Sequence, residues 1–258
     1  MARGDVYEPA LTTAYGRGAP GLVVDKFRVA SRELDALVIH GLEPAHAHWS
    51  DRQRAWYDVI RGRKVTVVQT KANTLAFPVM GQALFSCHLL RRHTSVSEAG
   101  ASVVCSEDEP DFASLLSIDP RFPIEVSVQP GARSGYSRPA KRPRLIGSFV
   151  DQTCRGALVA PSYRIGRHTA DAVVFLERES DDPVPDDVRE EGVVILHTAV
   201  PLGMSVMGLA YFSRERFERA HPRARVTSVA LVESAPADLA ELFDELRPEV
   251  DYRVVTSC

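Results

Sequence analysis

The sequence predicts an α/β protein built as a tandem duplication, each copy a mixed sheet flanked by helices. The first observation is a repeated phrase: Leu75 to Ser86 (LAFPVMGQALFS) returns as Leu202 to Ser213 (LGMSVMGLAYFS), with seven of twelve positions identical. Downstream, Ser102, Val103, Glu107 and Pro110 align with Ser228, Val229, Glu233 and Pro236, and upstream Thr70 aligns with Thr198, so only two single-residue gaps are needed. The second observation is that β-branched runs alternate with segments of helical spacing, the pattern of a sheet covered by helices. The third is size. A chain of 258 residues, 45% of them hydrophobic, suits two domains of roughly 100–130 residues, each with its own core.

The elements follow in order. The first ~25 residues hold six glycines or prolines and read as an arm or loop. Phe27, Ala30, Leu34, Leu37 and Val38 recur at helical spacing, so a helix is predicted from Phe27 to Leu42. Residues 44–49 (PAHAHW) read as a polar turn. Asp58-Val59-Ile60 reads as a short strand, and the β-branched run Lys64 to Thr70 as a longer one. Phe77 to Arg92 is predicted helical, with Pro78 in its first turn. Gly100 to Ser106 is a strand, Pro110 to Ile118 a helix opened by a proline at its first position, and Ile124 to Val128 a strand. The second copy repeats this order: strands Ala170 to Glu177 and Gly192 to His197, helix Met204 to Ala220, strand Val226 to Val232, helix Pro236 to Leu246 and strand Asp251 to Val255. The predicted domains are 1–129 and 145–258. Between them, 130–144 is rich in Gly, Pro, Ser and Arg and reads as a basic linker.

Charge and cysteine usage narrow the classes. A net charge of −3 provides no global field toward nucleic acid or membrane, so any polyanion contact must be local. Cys87, Cys105, Cys154 and Cys258 are scattered without zinc spacing, as expected for reduced thiols. The start of the chain has no secretory h-region, and no apolar run approaches the ~18 residues of a membrane span. The expectation is a cytoplasmic protein, and the Arg-, Ala- and Val-rich composition is bacterial in character.

The candidate chemistry lies in the first copy. Asp58 begins one predicted strand, and the next ends in Gln69-Thr70-Lys71, with ten residues between Asp58 and Gln69. A tight turn between antiparallel strands would bring these groups to one end of a sheet. Alternation puts Gln69 and Lys71 on one face. This arrangement resembles the PD-(D/E)XK, or restriction-endonuclease-like, nuclease superfamily, which places an Asp on one strand and an acid-x-Lys tripeptide on the next within an αβββαβ core. The stretch Val67 to Ala72 (VVQTKA) followed by Met80 to Ser86 is also similar to bacterial members of that superfamily.

The resemblance implies a metal-dependent nuclease acting on DNA or RNA phosphodiesters with Mg²⁺ or Mn²⁺. Asp58, Gln69 and the Thr70 carbonyl would hold the metal, which polarises phosphate and acidifies a bound water. Lys71 would orient that water and stabilise transition-state charge. Glu33, on the predicted first helix, would add a carboxylate, and Gln82 on the following helix would touch a phosphate or the metal site. The sequence departs from the commonest pattern at Gln69, a neutral amide where an acid is usual. A Gln-x-Lys branch of the superfamily exists, similar to enzymes that restrict methylated DNA.

The second copy aligns Asp171-Ala172-Val173 with Asp58-Val59-Ile60, but Gln69 becomes His197, Lys71 becomes Ala199 and Gln82 becomes Leu209. Without the lysine it reads as a degenerate repeat. Arg133, Arg138, Lys141, Arg142 and Arg144 form a basic segment that could grip phosphates. Trp56 and Tyr57 are base-stacking or packing residues, and His46 and His48 are metal ligands or turn residues. Three functions remain open: a nuclease with full, weakened or lost activity, a non-catalytic nucleic-acid-binding or scaffold protein that keeps the fold with a protein partner, and a small-nucleotide sensor.

Overall fold

The computed structural model describes residues 7–129, 142–185, 188–246 and 251–255. The chain divides into two compact units, Met1–Ser137 and Arg138–Cys258. The boundary falls inside the predicted linker, whose last residues, Pro143 and Arg144, already open a helix of the second unit.

The first unit runs α1 (Tyr7–Gly16), β1 (Gly21–Asp25), β2 (Arg28–Val29), β3 (Arg32–Glu33), β4 (Ala36–His40), β5 (Ala45–His48), α2 (Trp49–Arg52), α3 (Trp56–Ile60), β6 (Lys64–Thr74), α4 (Phe77–His93), β7 (Glu98–Glu107), a 3-10 turn (Pro110–Leu115) and β8 (Ile124–Val128). Its sheet order is β5-β1-β4-β6-β7-β8. β4 is antiparallel to both β1 and β6, while β6, β7 and β8 are mutually parallel, as the α4 crossover requires.

The second unit runs α5 (Pro143–Thr153), β9 (Ala157–Pro161), β10 (Arg164–Ile165), β11 (His168–Thr169), β12 (Ala172–Glu179), β13 (Gly192–Pro201), α6 (Met204–Ala220), β14 (Arg225–Ser234), α7 (Ala237–Glu245) and β15 (Asp251–Val254). Its sheet order is β9-β12-β13-β14-β15, with the same sequence of antiparallel and parallel pairs. Apart from β5, the two units therefore share strand order and direction.

Both sheets bury two faces. In the second unit, Leu145 and Phe149 of α5 pack on Ala172, Val174, Val194, Leu196 and Leu231. The alternate residues Val173, Phe175, Val193 and Ile195 pack with Phe217 of α6. In the first unit Leu11 of α1 packs with Val23, Ala36, Val38, Val68, Ala72 and Val104. The alternates Leu37, Ile39, Val65, Val67 and Val103 are fully buried too, so the opposite face is also covered. Close approach matters at Gly21, where a Cβ would lie 2.3 Å from the Ile39 carbonyl oxygen of the paired strand.

The coarse α/β class, with sheets flanked by helices, agrees with the sequence. Several elements do not. The predicted helix Phe27 to Leu42 is the β2–β3 hairpin and strand β4. Its apolar spacing imitates a helix, but Ala36 to Ile39 are all fully buried, as in a strand covered on both faces. Left-handed backbone at Lys26 (φ 55°) and Ala30 (φ 49°) breaks any helix there. The predicted N-terminal arm contains α1 and β1. The predicted turn at 44–49 contains β5, with His48 capping α2 by accepting from the Ser50 N–H. Asp58-Val59-Ile60 is helical, not a strand.

Candidate functional site

Asp35 stands one residue before β4, whose first pairing with β6 joins Ala36 to Val68. One further step in this antiparallel register puts Asp35 opposite Gln69. The Asp35 carboxylate accepts a hydrogen bond from the Thr70 N–H at 2.8 Å, tying the start of β4 to β6. Thr70 turns its hydroxyl to Thr12 of α1, 2.9 Å away. Lys71, the next residue, ends on Glu8 in the first turn of α1, Nζ to Oε1 2.6 Å. Three elements thus deliver two carboxylates, an amide and an ammonium group to one end of the first sheet.

Burial pushes the Asp35 carboxyl above the usual carboxylate range; the Thr70 N–H bond, Lys26 and Lys71 oppose that shift, and the Glu8 charge adds to it. Lys26 also lies 3.7 Å from Asp35 and 3.5 Å from Glu33. The side chains here are about one-quarter to one-third exposed: Glu8 26%, Asp35 27% and Lys71 32%. Gln69 is 7% exposed. The charged groups are therefore partly exposed, while Gln69, which alternates along β6 with the α1-facing Thr70, is buried.

Gln69, Thr70 and Lys71 lie in β6, but Asp58 is elsewhere. It lies on α3 with a 72% exposed side chain paired to Arg61 at 2.7 Å. A helical Asp58 cannot pair across from β6, and Asp35 occupies the expected position. Glu33 is on the β2–β3 hairpin, not a helix, and is bound by Arg28 at 3.1 Å. It communicates with Asp35 only through Lys26. Gln82 is half-buried on α4. Of the basic segment, Arg133, Arg138 and Lys141 lie outside the described residues. Arg142 precedes α5, its N–H donating to Thr198 Oγ1 at 3.2 Å, and Arg144 is paired with Glu233. Tyr57 packs edge-on against Phe27 and Trp49 and donates its hydroxyl to the Arg28 carbonyl.

Sequence reasoning missed Asp35 and Glu8. A signal for Asp35 was present. Leu34-Asp35-Ala36-Leu37-Val38 matches Ala170-Asp171-Ala172-Val173-Val174 more closely than any segment around Asp58 does. The match continues back without a gap, through Arg28 and Arg164, to Leu22 and Leu158. Glu8 carried no comparable signal, because its position depends on how α1 packs.

The second unit repeats the strand clasp. Asp171 accepts from both the N–H and the hydroxyl of Thr198, at 2.8 and 2.9 Å. His197 takes the place of Gln69, fully buried and bonded to Ser213 of α6 at 3.0 Å. Ala199 stands where Lys71 would, and the first turn of α5 carries Arg144 rather than an acid. Since both units keep the aspartate clasp, it is part of the fold. The lysine, its glutamate and the amide belong to the first unit alone.

Among the described residues, no group of three His, Cys, Asp or Glu side chains is placed to share a metal. Any cation at Asp35 would therefore rely on two carboxylates completed by neutral oxygens. No family model, curated protein or solved structure matches the chain significantly.

Proposed function

We propose that the protein is a tandem duplication of a restriction-endonuclease-like unit, in which the first unit is a divalent-metal-dependent nuclease and the second has lost the chemistry. The observation that carries this reading is the gathering of Glu8, Asp35 and Lys71 at one end of the first sheet, beside Gln69; of these four only the clasp aspartate has a counterpart in the second unit. Matched left-handed residues support the duplication. Lys26 (φ 55°) and Ala30 (φ 49°) correspond to Ser162 (φ 56°) and Gly166 (φ 61°) at a constant spacing.

The donor set suits a hard cation. Glu8, Asp35, the Gln69 amide oxygen and the Thr70 carbonyl are all oxygens, the ligands Mg²⁺ and Mn²⁺ prefer. Two carboxylates close enough to raise the proton affinity of Asp35 are a pair that a cation relieves. When bound, such an ion would polarise phosphate and supply a nucleophilic water. The chain's own contribution is positional. The Thr70 N–H orients Asp35, α1 holds Glu8 at the strand ends, and Lys71 puts one positive charge where phosphoryl oxygens gain negative charge. Replacing an acid by Gln69 lowers the site's charge by one unit, which predicts weak metal affinity and a need for high metal concentration.

The test is cleavage of plasmid DNA and of RNA with millimolar Mg²⁺ or Mn²⁺. Lys71→Ala and Asp35→Asn should each abolish cleavage, whereas Asp58→Ala should leave it at the wild-type rate. Failure to cut either substrate with either metal would overturn the reading, as would full activity in Lys71→Ala.

A further inference from the structure

The second unit contains an arginine-lined cleft at the end of α6. Two neighbouring cavities of about 340 Å³ each meet at Ala220 and His221, the end of α6. Arg164, Arg216 and Arg219 line one, and Arg189 and Arg223 line the other, and no described lining residue of either is acidic. The floor is Phe217, buried and in tilted contact with His221, ring centroids 4.6 Å apart.

The β10–β11 hairpin forms one wall. Its turn residue Gly166 has φ 61°, and a Cβ there would stand 3.4 Å from the Arg216 guanidinium. Glycine at that point lets the arginine lie against the turn. Arg164 donates through Nε to the Gly166 carbonyl at 2.7 Å, which fixes its guanidinium beside the same turn. Nearby carboxylates are engaged elsewhere: Glu218 by Arg214 at 2.9 Å, and Glu177 by Arg225. Glu215 of α6 is drawn on by both Arg214 and Arg219, while burial and Glu218 raise its carboxyl above the ordinary range; among the described residues, Arg223 has no carboxylate partner.

The first unit shows what a closed version looks like. Alignment of α4 with α6 puts the fully buried Leu89 at the position of Arg216 and Leu90 at that of Phe217. The hairpin residue Phe27, equivalent to Tyr163, is covered by Trp49 and Tyr57 at 5.0 and 6.1 Å. Between β12 and β13 the sequence has no aromatic residue to do the same. The second unit has therefore exchanged apolar cover for arginines.

We infer that this cleft binds the phosphodiester backbone of a nucleic acid. Five arginines spread over two joined cavities suit anions in series rather than a single phosphate, and guanidinium groups match phosphate oxygens in pairs. The inference does not rest on the metal site of the first unit, because binding needs no metal.

The experiment is fluorescence anisotropy with the full-length protein in EDTA, using a labelled DNA of about 20 nucleotides, single-stranded and as a duplex, from about 50 to 200 mM salt. The expected result is salt-dependent binding to at least one form. Arg219→Ala/Arg223→Ala should weaken it at least tenfold and flatten the log–log salt slope by about two units. A charge-matched control on the first unit, Arg54→Ala/Arg61→Ala, should keep the wild-type slope. Matching far-ultraviolet circular dichroism and urea midpoints would show that the variants are folded. Three results would overturn the inference: no binding of either form at about 50 mM salt, an unchanged slope in the cleft variant, or displacement by inorganic pyrophosphate as efficient per charge as by unlabelled DNA. Because cleavage is blocked in EDTA, an inactive first unit would leave this outcome unaffected.

Discussion

At the residue scale, the left-handed positions and the buried histidine yield direct tests. Ala30 is exposed and holds φ 49°, where the second unit uses Gly166. A Cβ in the left-handed region costs about 1 kcal/mol, part of which glycine returns to the unfolded chain as entropy. Ala30→Gly should therefore stabilise the first unit by about 0.5 kcal/mol, read as a higher urea midpoint. A second residue-scale test concerns acid. His88 and Asp119 are buried together, Nε2 to Oδ2 3.0 Å, and Arg121 grips the same carboxylate at 2.9 and 2.8 Å. Burial pushes the His88 imidazole below its ordinary 6.5, against the pull of Asp119. Burial raises the Asp119 carboxyl, but hydrogen bonds from Arg121 outweigh it and hold the net value below 3.8. In both cases the unfolded chain takes up a proton first, so stability is present at higher pH and lost as pH falls. The histidine contribution should fade below pH 6.5 and the aspartate contribution only below 3.8. In His88→Gln the fall of the urea midpoint between about pH 7 and 5 should shrink, while the loss in stronger acid should persist.

At the element scale, the aspartate clasp joins two strands at the point where a small hairpin leaves the sheet. In the second unit it is closed on three sides: Asp171 is 6% exposed, Thr198 9%, and His197 fully buried. Asp171→Ala would strand the Thr198 N–H and hydroxyl, at a cost of about 1–3 kcal/mol for unsatisfied buried groups. The fall in Tm measured by circular dichroism should exceed that of Asp58→Ala, whose side chain faces solvent. The elements also show what the sequence disclosed. Helices α4 and α6, strand β8 and the parallel strands were legible within a few residues, because their apolar patterns are long and bounded by Pro, Gly or a strand turn. β4 was not, because a strand buried on both faces has no alternation and its run of apolar residues fits a helix as well. That error displaced the site. With β4 read as helix, the strand preceding Gln69 had to be found at Asp58, although Asp171 pointed to Asp35. α1 and α5 were hidden by their Gly- and Pro-rich surroundings, and Glu8 was hidden with α1.

At the scale of the whole molecule, charge is distributed by copy rather than by total. The net charge of −3 conceals two local arrangements of charge. One is the carboxylate, amide and lysine cluster of the first unit, and the other the arginine cleft of the second. If the arginine cleft binds a polyanion as proposed above, the attraction is local to it and that binding should be strongly screened by salt. No described helix is long and apolar enough to cross a membrane. The comparison between copies is what separates fold from chemistry. The Met-Gly helix phrase and the aspartate clasp occur twice, while Lys71 and Arg216 each occur in one copy.

The shared strand order has a kinetic consequence. While the chain folds, β4 and β12 offer nearly the same surface, Ala36 to Ile39 against Ala172 to Phe175, and each pairs with a strand that carries a clasp threonine, Thr70 in β6 or Thr198 in β13. Asp35 would accept from Thr198 as readily as from Thr70, so the polar clasp cannot tell the correct partner from the wrong one. Discrimination falls to volume, Leu37 and Ile39 in one copy against Val173 and Phe175 in the other, because a mismatched core leaves voids on one side and overlap on the other. Exchange of strands between similar repeats is a characteristic misfolding route. The divergence of these buried side chains therefore serves as an address, directing each strand to its own sheet.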